Sequence, residues 1–117
     1  MVAPYNKDIE VALKDKAGTF SKPDGTQFEN AVAFANAGRM DRACSTFETL
    51  YAGEANKGNI SLLYNMGVCQ EVLLPDEPAA ALEYYAKADQ LLSRPDKLVS
   101  DAYVRMKGMV GQSRSIH

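Results

Sequence analysis

Two stretches of this chain carry the same arrangement of small and large side chains, and a chain that repeats itself in this way builds its core by stacking like units. The first runs from residue 27 to 51, QFENAVAFANAGRMDRACSTFETLY, and the second from 63 to 91, LYNMGVCQEVLLPDEPAAALEYYAKADQL. Ala31 and Gly67 stand midway along the first half of each unit, and Ala43 and Ala81 stand early in the second half. Phe47 and Tyr85 each follow that alanine by four residues, and Leu50 and Ala88 come three residues later. The units are offset by 36 residues at the first small position and by 38 at the second. Two antiparallel helices approach closely only where small residues meet. Gly67 with Ala81, and Ala31 with Ala43, are therefore the expected close contacts, with Phe47 and Tyr85 filling the wider space beside them. One such hairpin cannot bury its apolar face alone, so the next stacks on it.

The periodicity agrees with paired helices. Phe28, Ala31, Val32 and Ala35 fall on one helical face, and Gly38 stands where a C-terminal cap glycine belongs. Asp41 is placed to cap the next helix, which carries Ala43, Phe47 and Leu50 with Cys44 and Tyr51 beside them. Asn59 or Ser61 can cap a third helix bearing Leu62, Leu63, Met66, Val68, Cys69 and Val72. The run Pro75-Asp76-Glu77-Pro78 stops it, and Pro78 suits the first turn of a fourth helix with Ala81, Leu82, Tyr85, Ala88 and Leu91. Tyr84, next to Tyr85, should lie partly exposed. After Ser93-Arg94-Pro95-Asp96 a last helix, expected over about Asp96 to Val110, carries Val99, Ala102, Tyr103, Met106 and Val110. From Ala102 onward the charged residues are the basic Arg105, Lys107 and Arg114, which suit the negative end of its dipole in preference to forming a patch for an acidic partner. Ahead of the repeats, Ser21-Lys22-Pro23-Asp24-Gly25 reads as a turn that breaks the chain. Before it, Tyr5, Ile9 and Leu13 have helical spacing, while Ile9, Val11 and Leu13 alternate as on a strand; a short helix is the preferred reading. The expected organisation is an N-terminal segment over 1–25, an all-α domain of antiparallel hairpins over 26–111, and a frayed tail over 112–117.

Composition excludes several functions. Hydrophobic residues make up 46% of the 117 and charged residues 24%, with a net charge of −2, the profile of a folded domain and not of a disordered chain. That charge argues against a nucleic-acid binder, and no apolar run has the ~20 residues of a membrane span. The start, MVAPYNKDIE, lacks the apolar core of a signal peptide, which fits a mature chain, a cytoplasmic one or a fragment. No catalytic residue, cofactor or metal site is expected. The one histidine is His117, at the chain end, and no phosphate-binding glycine loop occurs. Cys44 and Cys69 have no histidine partner to make a thiolate. They serve either as two small buried hydrophobes or as a pair bridging neighbouring helices, which needs Cα atoms within ~7 Å. Asn59-Ile60-Ser61 matches the glycosylation sequon, a tripeptide common by chance.

The second unit resembles a tetratricopeptide repeat (TPR). Its run Leu63-x-x-Met66-Gly67 followed by Ala81-Leu82-x-x-Tyr85-x-x-Ala88 carries that family's spacing of small and large residues. The first unit is similar, with Ala31 for the usual glycine, Gln27 where a large apolar residue is typical, and Gly38-Arg39-Met40-Asp41 resembling the turn between helices. Gly67 and Ala81 are 14 positions apart, two more than in the usual repeat, which leans towards the related Sel1-like repeats. Two units fall below the ~3 of a self-standing array, so the last helix is expected to act as a cap.

The resemblance implies a short right-handed superhelix whose first helices line a concave groove, and a non-catalytic scaffold or adaptor that binds a partner peptide or helix there. Carried over position by position, the groove falls on Phe28, Glu29, Val32, Ala35 and Asn36 in the first unit and on Tyr64, Asn65, Val68, Glu71 and Val72 in the second. Tyr64, Asn65 and Glu71 stand out, because polar groups on an inner face have no core role. One TPR sub-class clamps a chaperone's C-terminal carboxylate with lysine and asparagine on its inner helices. Asn65 is suitably placed for this, but Phe28 and Val32 occupy the matching first-helix positions, so chaperone-tail binding is not expected. The alternative is a structural or oligomerisation domain of a larger protein. The lead-in from Asp8 to Leu13 resembles the segment before the tail repeats of some bacterial envelope lipoproteins, including relatives of curli-secretion channels, which would place the chain in the periplasm.

Overall fold

A computed structural model of the chain describes residues 20–116. The short-helix reading of residues 5–13 and the terminal His117 lie outside the described residues. Within them the chain is all-helical: α1 (Lys22–Asn36), α2 (Met40–Tyr51), a single 3-10 turn (Glu54–Asn56), α3 (Ile60–Leu73), α4 (Pro78–Leu91) and α5 (Lys97–Ile116). The short links between α1 and α2 and between α3 and α4 fold each pair back as a hairpin. Each helix packs on its sequence neighbour, and α2 against α3 joins one hairpin to the next.

The helix boundaries follow from local chemistry. Ser21 is the N-cap of α1; its hydroxyl accepts from the Asp24 amide at 3.4 Å, and the proline of the run lies in the first turn. The stretch from Ser21 to Gly25 therefore starts a helix where a chain break was expected. Serine, proline and aspartate favour helix starts for the same reasons that they favour turns. At the other end of α1, Gly38 has φ +85°, the Arg39 amide donates to Phe34 O at 2.8 Å, and the Gly38 amide donates to Ala35 O at 3.0 Å. That is a Schellman closure, and it needs a residue that tolerates the left-handed region.

Asp41 does not cap α2. It lies in the first turn, where the Arg39 guanidinium donates to both of its oxygens at 2.9 and 2.8 Å. Those hydrogen bonds hold the Asp41 carboxyl down at about 2. Asn59 caps α3 by accepting from the Leu62 amide at 2.9 Å, and Pro78 opens α4. Asp96 accepts from the Val99 amide at the start of α5. That helix runs on to Ile116, past Gly108 and Gly111 and past the expected end at Val110.

A single apolar cluster runs through the stack from Phe28 to Met106. Its centre is α3, in which every residue from Ser61 to Cys69 is buried. Gly67 has the role that its small size suggests, and the side chain nearest to it is that of Tyr85. A Cβ built there would lie 2.6 Å from Cδ1 and 2.7 Å from Cζ of Tyr85, and nearer still to Cε1. The ring of Tyr85 thus covers the glycine itself and does not sit beside the contact. Asn56 ties the hairpin junction, donating to Asp24 Oδ2 at 2.9 Å and to Leu50 O at 3.0 Å. Cys44 of α2 and Cys69 of α3 are joined as a disulfide with their Cα atoms 5.7 Å apart. Of the two readings open from sequence, the cross-helix pair is the one found. Leu91, expected on the apolar stripe of α4, is 48% exposed because it closes the last turn.

Candidate interaction surface

The residues expected to line a groove are mostly inside. Phe28, Val32, Tyr64, Asn65 and Val68 are each at most 3% exposed, and Ala35 is buried with them. As surface residues for a partner, these positions are corrected by the packing. Phe28 stacks between Phe20 and Phe47, with ring centroids 4.8 and 5.4 Å away. Tyr64 packs its ring on Tyr85 at 5.7 Å. Asn65 donates to the Ser61 carbonyl at 2.8 Å, one turn back along its own helix, which meets part of the cost of burying an amide. Glu29 and Asn36 are exposed on α1, and Val72 is half-buried.

Glu71 joins the core to the surface. Its side chain is 8% exposed. Its Oε2 accepts from the Tyr85 hydroxyl at 2.5 Å and from Arg105 Nη2 at 2.6 Å. One carboxylate thereby links α3, α4 and α5. Burial, then the facing carboxylate, pushes the Tyr85 hydroxyl far above its ordinary range, so it stays protonated and keeps donating. Arg105 remains half-exposed at the outer side.

Glu71 also lines a depression of about 110 Å³ with Leu74, Pro75, Pro78, Met106 and Met109. Met106 is buried, whereas Leu74 and Met109 are each 40% exposed and Leu73 is 48% exposed. The depression is somewhat smaller than the ~150 Å³ cavity that accepts a benzene, a size that suits one aliphatic side chain. Its two methionines are flexible enough to adapt to such a guest. The sequence carried a signal for this place in the Leu73-Leu74 pair ahead of two prolines, which reads at first only as a helix stop. The part played by Arg105 depends on α5 returning beside α3, and no local pattern announces that.

The Asn59 sequon is spent on structure: Asn59 is 7% exposed and caps α3, and Ser61 is fully buried. Among the described residues there is no group of three or more histidine, cysteine, aspartate or glutamate side chains able to hold a metal ion. No helix among them is long and apolar enough to cross a membrane. Compared with protein-family models, curated proteins and solved structures, the chain matches none.

Proposed function

We propose that this chain is a non-catalytic interaction module, a TPR-like stack of helical hairpins that holds a partner peptide or helix by an apolar side chain. The observation that carries the reading is the pair Leu74 and Met109, each 40% exposed and lining the depression at the foot of α3. Exposed apolar side chains gathered around a concavity are a usual mark of a binding surface. The binding place moves from the middle of α3 to its C-terminal end. Of the groove residues expected from sequence, only Glu71 belongs to it.

The test is selection of peptides from a random displayed library on the immobilised chain. Selected peptides are expected to share one bulky aliphatic position and to lose affinity by about tenfold or more, ~1.4 kcal/mol, on Met109→Glu. Leu74→Glu should act likewise, while Glu29→Ala and Asn36→Ala leave binding intact. Binding indifferent to both changes at the depression overturns the reading.

A second reading has its own observation. Val104 is 66% exposed on α5, the terminal helix of the stack, which favours self-association as part of a larger assembly. Light-scattering mass across a dilution series separates the two. A stable dimer that Val104→Glu dissolves supports self-association, and a monomer at all concentrations removes it.

A further inference from the structure

The disulfide lies at a telling place in the stack. Cys44 is 1% exposed and Cys69 is fully buried, so neither sulfur is offered to solvent. The bond does not close either hairpin on itself. It runs from α2 to α3, across the junction where the first hairpin meets the second, and closes a loop of sequence separation 25 that includes the 3-10 turn. The chain holds two cysteines, so each has a single intramolecular partner and no third thiol stands by to exchange with the bond. A redox switch needs a sulfur that a thiolate can reach, and such cysteines sit in exposed, polar surroundings. These two sit in the apolar cluster with Phe47, Leu62 and Leu63. A reducing thiolate reaches them only after the hairpins part.

We propose that Cys44 and Cys69 form a permanent lock between the hairpins, installed by a thiol–disulfide oxidant in an oxidising compartment, which is where the chain works. In forming it the two thiols give up two protons and two electrons. The oxidant, a disulfide-bearing exchange protein or oxidised glutathione, is reduced to its dithiol or to two glutathione thiols. Exchange proceeds through a mixed disulfide on one cysteine, which the other displaces, so it precedes closure of the core over both sulfurs. Thiol pools of the cytosolic kind keep such pairs reduced before folding can bury them, and for that reason lasting structural disulfides belong to oxidising surroundings.

The full 117-residue chain carries the test. Reduced, denatured protein is refolded with mixed oxidised and reduced glutathione, then denatured without reductant and alkylated. A monomer with no alkyl adduct and a linked Cys44–Cys69 peptide is expected. Two adducts, a retained glutathione or a disulfide dimer overturns the pairing. The oxidised native protein is next exposed to dithiothreitol. Slow reduction that speeds up about tenfold between zero and about 2 M urea is expected of a bond reached only by opening the junction. Fast reduction indifferent to urea overturns the lock and makes the pair a switch. Finally, alkylation in the cells that make the chain is expected to leave both sulfurs unmodified; two adducts there overturns the assignment to an oxidising compartment.

Discussion

One substitution made at two glycines gives opposite results if the packing of α3 against α4 is as described. Gly67→Ala and Gly108→Ala both place alanine in a helix interior, where alanine is favoured over glycine by ~1 kcal/mol. At Gly108 a new Cβ meets nothing within 4 Å, so the whole gain is realised. At Gly67 it meets the Tyr85 ring at 2.6 and 2.7 Å, well inside contact distance. The ring cannot swing away cheaply. It is 1% exposed and its hydroxyl is held 2.5 Å from Glu71. Overpacking of this kind costs ~1–3 kcal/mol. If the ring moves instead, it gives up a hydrogen bond to a charged acceptor worth ~1.5–3 kcal/mol. Set against the helix gain, the clash leaves Gly67→Ala with an expected net loss of up to ~2 kcal/mol. With a urea slope of ~1–3 kcal/mol/M, each ~1 kcal/mol moves the midpoint by ~0.3–1 M, downward for Gly67→Ala and upward for Gly108→Ala. Paired with Tyr85→Leu, the cost of Gly67→Ala should shrink by more than the ~0.5 kcal/mol within which independent changes add. A Gly67→Ala protein at least as stable as wild type, or additivity with Tyr85→Leu, refutes the close approach.

Three further outcomes follow from the same geometry. Gly38→Ala meets no atom within 4 Å yet must hold φ +85°, so urea unfolding should show a loss of ~1–2 kcal/mol from backbone strain alone, and Gly38→Asn should lose less. Burial raises the Tyr85 hydroxyl in the folded chain, so its contribution is full below the unfolded value of ~10 and declines as the pH climbs above that; stability measured from pH 8 to 11 should fall, and Tyr85→Phe should flatten the fall. Removing the disulfide by Cys44→Ala with Cys69→Ala should lower the unfolding free energy by ~3–4 kcal/mol on loop-entropy grounds, for a loop of sequence separation 25; calorimetry or urea titration showing no loss would mean that the junction is held by packing alone.

Much of the helical layout could be read from sequence because it rests on local chemistry. Gly38, Asn59 and Pro78 mark helix ends by properties that do not depend on what packs around them. The repeat placed Phe47, Tyr85, Ala43, Ala81 and Gly67 inside, and all five are buried. The exposed face of α3 could not be read in the same way. Its apolar residues go all round the helix, the pattern of an element enclosed by others, and in its middle Tyr64 and Asn65 stood out by their polarity. Polarity alone misplaced them. A buried asparagine can donate to a carbonyl of its own helix, here leaving its Oδ1 without a partner among the described residues, and a tyrosine is mostly ring, so both can be buried in this core. The cap expected from Asp41 failed for a similar reason: Arg39, two residues earlier, offers a two-bond charged partner that an amide cannot match.

The place where partner binding is proposed is tied to the stability of the fold through Glu71. This carboxylate stands between the buried Tyr85 hydroxyl and the half-exposed Arg105, and it also lines the depression. Losing it would leave a buried hydroxyl without its acceptor, which costs ~1–3 kcal/mol. A substitution at Glu71 therefore disturbs folding and binding together and cannot measure binding by itself. Leu74 and Met109 are different: both line the depression and remain 40% exposed. Replacing them with charge changes what a guest would meet and leaves the three-helix anchor intact. The walls of the depression come from the end of α3, the start of α4 and the middle of α5, so it exists only when the second hairpin and the terminal helix are docked. A partner that fills it binds the docked state and not the open one. Such a partner should raise the unfolding free energy with the logarithm of its concentration over Kd, and Met109→Glu should remove that rise if the depression is where it sits.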